Sequence, residues 1–391
     1  MDFFERVKIS ENIKFIGADD KDLEIFESQY PTEGISYNSY IIFDEKIAIM
    51  DTVDERKIDC FLENVKNALG DKKPSYLIIQ HMEPDHSAYI AVFAERHPGA
   101  TIVASAQAFA MMKNFFGTDF SGRRIVVKDG DTLSTGAHTF TFVAAPMVHW
   151  PEVIVTYDSK DKVLFSADGF GKFGALDVED PEGWACEARR YYFGIVGKYG
   201  PQVQALLKKA AGLELAAICP THGPVLQGDL SYYLNLYDVW SSYGVESEGV
   251  CIAYTSVYGH TKAAAELLAE KLSARGCPKV AVTDLCRDDM AEAVEDAFRY
   301  GKLVLATTTY NMDIFPPMRE FIKHLTERGY QNRTVALMEN GSWAPAAAKG
   351  MAALLEGCKN LTFAENTVRI LSALNEESRA KLDALAAELW P

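Results

Sequence analysis

Gln80-His81-Met82-Glu83-Pro84-Asp85-His86 packs two imidazoles, two carboxylates and a proline into seven consecutive residues. Directly before it runs Tyr76-Leu77-Ile78-Ile79, an apolar stretch of strand length. Directly after it, the segment from His86 to Glu95 has the periodicity of a helix. A strand that ends in ligand-type side chains and passes straight into a helix delivers those side chains to one rim. His81 and Glu83 alternate along an extended backbone and so point the same way. Asp85 and His86, at the entry to the helix, reach the other side of the same cavity. A solvated polar turn with helix-capping histidines has no need of four metal-ligand side chains in six positions.

The chain has only eight histidines, so what that loop still lacks can be searched for. Two of the others follow strand-like runs and sit among turn residues: His149 after Val143 to Val148, and His222 after Ala216 to Thr221. Between them an apolar run from Val163 ends in Asp168 and glycines. The inventory is therefore His81, Glu83, Asp85, His86, His149, Asp168 and His222. Seven ligands exceed what one tetrahedral ion takes and suit two ions that share one carboxylate.

This pattern resembles the metallo-β-lactamase fold, with one change. The hydrolases of that fold carry His-x-His-x-Asp-His and use zinc. Here the second position is Glu83, as in the flavodiiron proteins, and a further carboxylate makes the site harder, which favours iron over zinc. The resemblance to flavodiiron proteins covers essentially the whole chain. It implies that His81, Glu83 and His149 bind one iron, that Asp85, His86 and His222 bind the other, and that Asp168 bridges them. Some members of the family hold the equivalent of His86 away from the metal.

Length and composition agree with a globular chain of two domains. At 391 residues the chain exceeds a typical single domain, and 48% hydrophobic with 24% charged residues is ordinary globular content. A formal net charge of −16 argues against nucleic acid or an anionic membrane as partner. No run approaches the ~20 apolar residues of a membrane span, and the N-terminus is not flanked as a signal sequence would be. The seven cysteines are scattered without a Cys-x-x-Cys, so there is no rubredoxin module in this sequence. Reduced thiols and a cytoplasmic location are expected.

In chain order, Ser36 to Phe43 and Lys46 to Asp51 read as a hairpin turning at Asp44-Glu45, and Lys57 to Leu69 as a helix. Strands and helices alternate through the first ligand loop to Ser105. A strand-rich stretch then runs from Arg124 to Ser166, with His138 in a strand and His97 at a helix end, both read as structural. Trp184 to Tyr192 reads as an aromatic helix, with packing as its first role and a share in the site wall as the alternative. Two sheets with helices outside and loops on one rim fit this order. After a linker at Tyr243 to Gly249 the grammar becomes regular β-α alternation, with strands at Val250, Val280, Leu303, Thr334 and Leu361 and a last helix from Glu376 to Leu389. The fold class is thus α+β followed by α/β: a metallo-β-lactamase-like αββα sandwich over residues 1–248, then a flavodoxin-like doubly wound parallel sheet over 249–391.

The loop Thr255 to Thr261 opens the second half. It has no lysine and no glycine signature of a nucleotide loop, so it would hold a phosphate through hydroxyls, backbone N–H groups and a helix N-terminus. Flavodoxins hold the FMN phosphate in that way, and the loop resembles theirs. The expected FMN contacts are Ser256, Val257, Tyr258, Gly259, His260 and Thr261. Two later strand ends add Thr307, Thr309, Tyr310 and Asn311, then Gly341, Ser342 and Trp343, with Tyr310 and Trp343 covering the flavin. His260 is an uncommon choice in such a loop, and the Trp343 loop is poorer in glycine than is usual.

The resemblance implies a cytoplasmic reductase of dioxygen to water, nitric oxide to nitrous oxide, or both. Its cofactors are FMN and two iron ions. Its electrons come from rubredoxin or another small donor. Its assembly is a head-to-tail homodimer in which the flavin of one chain serves the irons of the other. Two other classes compete: a zinc hydrolase with a flavodoxin-like regulatory domain, and an electron carrier with a vestigial first domain.

Overall fold

The computed structural model describes residues 8–179 and 183–391. The reading of residues 1–7 as no signal sequence lies outside the described residues. The chain forms two compact units, Met1–Asp238 and Val239–Pro391.

The first unit is built on two six-stranded sheets. One runs in the order Ile13–Phe15, Tyr40–Ile42, Ala48–Met50, Tyr76–Ile78, Thr101–Ser105, Arg124–Val127, and its last four strands are parallel. The other runs Thr132–Ser134, Thr139–Ala144, Ile154–Asp158, Val163–Phe165, Ala217–Cys219, Leu226–Gln227. It is antiparallel except where Val163–Phe165 lies parallel to Ala217–Cys219. Phe15, Tyr40, Ile78, Phe140, Phe142 and Phe165 from both sheets share one buried core. Tyr40–Ile42, Ala48–Met50 and Tyr76–Ile78 are buried at every position, which requires cover on both faces, as in an αββα sandwich.

Strand direction gathers the functional loops. Thr139–Ala144 and Val163–Phe165 both run antiparallel to Ile154–Asp158 and so point the same way. Ala217–Cys219 runs parallel to Val163–Phe165. The loops that carry His149, Asp168 and His222 therefore leave one rim of that sheet.

Several elements differ from what the sequence pattern predicts. The helix after the first ligand loop starts earlier, as a short turn at Pro84–Ser87, and breaks before Ile90–Arg96. Proline at its first position fixes the entry. His138 stands just ahead of its strand, buried, with Nδ1 2.8 Å from Asp158 Oδ2 and Lys160 Nζ 3.0 Å from Nε2. The short pairs Ala18–Asp20 with Ile35–Tyr37, and Ile25–Phe26 with Tyr30–Pro31, have no counterpart in that pattern. Strands this short have too little alternation to be read.

In the second unit the sheet order is Val280–Asp284, Ser247–Tyr254, Tyr300–Tyr310, Thr334–Asn340, with parallel pairing throughout this path. The fifth position is shared. Thr362–Phe363 pairs with the start of Thr334–Asn340, and Val368–Ile370 pairs with its end. The expected linker is already structure, since Ser247 to Gly249 belong to a strand. A Cβ on Gly249 would sit 2.7 Å from the Tyr300 ring, so only glycine allows this approach. The second unit also takes in the end of the helix Leu230–Ser241. Buried Arg333 fixes the segment after it, donating to the carbonyls of Tyr243, Gly244 and Phe298. Among the described residues no helix is long and apolar enough to cross a membrane.

Candidate functional sites

The first ligand loop is clamped before its side chains are used. Buried Asp51 accepts from Gln80 N (2.7 Å) and Gln80 Nε2 (2.8 Å). Thr52 binds the His86 carbonyl through both its hydroxyl and its N–H, and Ser87 Oγ donates to Met82 O. The His222 loop is held in a similar way. Asn38 Nδ2 donates to Pro220 O and Gly223 O, and Gly223 N donates to Ser36 Oγ. At the Asp168 loop, Ala167 takes a positive φ of 50° and the chain turns sharply behind the strand. Such a φ is strained for a residue with a Cβ and persists where the surroundings dictate it.

The seven side chains that these loops carry meet in space. One nitrogen or oxygen from each of His81, Glu83, His149 and Asp168 lies within 4.8 Å of the others, and the same holds for Asp85, His86 and His222. Asp168 faces both groups. Its Oδ2 is 3.2 Å from His81 Nε2 and 3.0 Å from His149 Nε2, while its Oδ1 is 3.1 Å from His86 Nε2. Glu83 Oε2 lies 2.9 Å from His149 Nε2 and 3.3 Å from His81 Nε2. Asp85 Oδ2 lies 3.2 Å from His222 Nε2 and 3.3 Å from His86 Nε2. All four imidazoles thus turn Nε2 inward. The rings are walled by aromatics, His81 by Trp150 and His222 by Phe26 and Tyr191. Tyr191 ends the helix Ala185–Tyr191, so that aromatic helix supplies part of the wall.

The electrostatics show what this arrangement needs. Burial opposes charge on His86 and His149, but nearby carboxylates outweigh it and hold both up to about 9: Asp85 and Asp168 for His86, Asp168 and Glu83 for His149. His81 is raised well above its ordinary value, with Asp168 overcoming burial. Burial would raise Glu83 and Asp168, yet the histidines lower both. Among the described residues, Asp85 Oδ1, Asp85 Oδ2 and Asp168 Oδ2 are nonetheless buried without a hydrogen-bond donor. Buried carboxylates in that condition are costly unless a cation satisfies them. The residues present therefore fit a pair of metal ions bound through oxygen and imidazole nitrogen.

Sequence reasoning missed the partners behind these side chains. Glu152 is buried and accepts from His81 Nδ1 (2.8 Å) and Met82 N (2.9 Å). The Ser36 carbonyl accepts from His222 Nδ1 (2.7 Å), and Thr221 Oγ1 donates to Asp168 Oδ1 (2.5 Å). Glu152 follows His149 by three positions and is the one partner with a local signal.

The second unit carries a cavity of about 720 Å³ at the strand ends. It is lined by Ser256, Val257, Tyr258, His260, Thr261, Thr309, Tyr310, Asn311, Gly341, Ser342 and Trp343, together with Thr308, Met312, Asn340, Ala344 and Ser372. Two expected contacts do other work. Thr307 is fully buried with its hydroxyl 2.6 Å from that of Thr255, and Gly259 (φ 91°) turns the loop into the helix His260–Ala274. Among the described residues that helix has no side-chain cap, so its first N–H groups are available to a ligand. Tyr258 and Trp343 are 89% and 86% exposed, flat apolar surface that a planar ligand would cover.

Comparisons with known proteins bear on both halves. Residues 35–223 match the family described as ODP family beta lactamase, and residues 251–356 match the flavodoxin domain. The fold is similar to that of the rubredoxin oxygen:oxidoreductase of Desulfovibrio gigas, with a TM-score of 0.90, 25% identity, and 98% of this chain and 97% of that one covered. The anaerobic nitric oxide reductase flavorubredoxin of Escherichia coli is 27% identical over 90% of this chain and 75% of its own length. A diflavin flavoprotein of Synechocystis is 32% identical over 66% of this chain, which spans 45% of that protein's length.

Proposed function

The chain belongs to the flavodiiron proteins, and from that premise we propose that it is a cytoplasmic reductase of dioxygen or nitric oxide. Its cofactors would be FMN and two iron ions, with a small external donor, rubredoxin by family likeness, as the source of electrons. The observation that carries this reading is the Asp168 carboxylate, one oxygen toward each group of ligands, with buried carboxylate oxygens around it that lack donors. His81, Glu83 and His149 would hold one ion, and Asp85, His86 and His222 the other. Glu83, where the zinc hydrolases have histidine, favours iron.

When bound, FMN supplies reducing electrons and the iron pair supplies adjacent positions for the oxygen or nitrogen atoms being reduced. The protein's part is placement. Asp168 would offer one oxygen to each ion, and the Trp150, Phe26 and Tyr191 rings pack against the ligand imidazoles. In the second unit, Ser256, Thr261 and the open end of the helix His260–Ala274 hold the phosphate through neutral donors. Tyr310 and Trp343 cover the ring system. The active assembly is a head-to-tail homodimer.

The test is iron, zinc and flavin content of the purified chain, with rates of dioxygen and nitric oxide consumption after pre-reduction. Near two irons and one FMN per chain, consumption of at least one gas, and sedimentation as a dimer are expected. Zinc without iron, with no consumption of either gas, would favour a hydrolase and sink the proposal. An active monomer would remove the dimer.

A further inference from the structure

The two halves of the metal cluster are not supported alike. On the reading that two ions bind, each half has one carboxylate of its own, Glu83 or Asp85, so the difference falls on the imidazoles and on the shared Asp168. In the Glu83 half, His81 has its Nδ1 held by the buried Glu152 carboxylate at 2.8 Å. Glu152 is itself fixed by Met82 N. A carboxylate in that position fixes the tautomer, aims the Nε2 lone pair inward and raises its basicity. In the Asp85 half, His222 has the neutral Ser36 carbonyl on its Nδ1, and His86 Nδ1 is buried with no hydrogen-bond partner among the described residues.

The bridge is biased in the same direction. Thr221 Oγ1 donates to Asp168 Oδ1, the oxygen that faces His86, and draws electron density from it. Asp168 Oδ2, which faces His81 and His149, accepts no such bond from the described residues. Three separate features therefore weaken one donor set relative to the other.

We propose that Glu152, acting through His81, makes the Glu83 half the stronger metal site, so that it fills first and the Asp85 half is the exchangeable one. Glu152 is a positioning residue in this scheme and touches no metal. Loading is then ordered, and a chain short of iron holds its single ion between Glu83 and the His81–His149 pair.

The experiment adds one equivalent of ferrous ⁵⁷Fe to the metal-free full chain without oxygen. The sample is read by Mössbauer spectroscopy, with calorimetry following the full titration. One isolated ferrous environment is expected at one equivalent, followed by conversion to the pair. Glu152→Gln keeps the side chain's shape and an acceptor oxygen but removes the charge. It should weaken the first step by about ten- to hundredfold and leave the second step unchanged. Glu152→Asp should restore the first step, and Thr221→Val should tighten the second. Flavin content and circular dichroism establish that each variant is folded. Two half-loaded environments at one equivalent, or a Glu152→Gln effect spread equally over both steps, would overturn the proposal. A folded chain that takes up no iron would instead overturn the di-iron reading on which it rests.

Discussion

In the first unit seven titratable side chains are drawn into an interior where His81 and His86 are fully buried; in the second, the described lining of the large cavity includes no lysine, arginine or carboxylate. In the first arrangement the imidazoles offset the buried carboxylates only in part. Its carboxylates and imidazoles share protons as a substitute for the cations they are shaped for, and some oxygens still find no donor among the described residues. The second is stable without a ligand, because hydroxyls and backbone N–H groups are content with water. The lesson is that one site is defined by charge that must be neutralised, and the other by shape and neutral donors. Substitutions in the two should differ in size.

The largest effect should come from Asp168. Asp168→Ala removes the carboxylate shared by both halves, and metal affinity should fall by more than about a hundredfold, since even partners behind the ligands cost that much. Iron content and turnover should drop to background while FMN stays bound. Full iron with a normal rate in this variant would erase the contrast between the sites.

A change of pH should act strongly on the first site. His86 and His149 in the metal-free protein titrate near 9, above the ordinary histidine value. Their raised values stabilise the metal-free fold fully below about pH 6.5, and that contribution is lost as pH rises through 9. Metal binding must expel the same protons, so affinity for ferrous iron should rise from pH 7 to pH 9, by up to about tenfold per pH unit for each proton released. Melting curves should show the metal-free protein losing stability over this range while the gain on metal binding grows. A pH-independent iron affinity would mean that the imidazoles are not the ligands.

The smallest effect belongs to the cavity. Thr261→Ala removes one neutral donor to a charged phosphate, worth roughly 1.5–3 kcal/mol, so FMN affinity should weaken by about tenfold or more. Titration of flavin-free protein, followed by flavin fluorescence, measures it. Unchanged affinity would place the phosphate away from Thr261.

Much of this is legible in the order of residues alone, for a physical reason. Each of the seven clustered side chains follows an apolar run of strand length, and a strand end is a local signal. The flavin-cavity loops follow strand ends for the same reason. What escapes is tertiary or very short. Ser36 and Thr221 act through a carbonyl and a hydroxyl, groups nearly every stretch of chain possesses, so only proximity gives them meaning. Strand alternation is strict enough to separate Thr307 from Thr308, but only once the reach of Tyr300–Tyr310 is known. The fifth strand is only half legible because Thr362–Phe363 and Val368–Ile370 are two fragments sharing the place of one.

Arg333 bears on how the molecule can be taken apart. Sequence places the seam in the polar stretch before residue 249, where a cut looks harmless. Yet the guanidinium of Arg333, 2% exposed, is solvated by carbonyl oxygens in place of water, and Tyr243 and Gly244 supply two of them. A fragment starting at residue 249 would strand a buried cation beside missing acceptors, a loss of about 1–3 kcal/mol for each unsatisfied group. A fragment that keeps both acceptors must begin before Tyr243, and the second compact unit itself begins at Val239, inside the helix Leu230–Ser241.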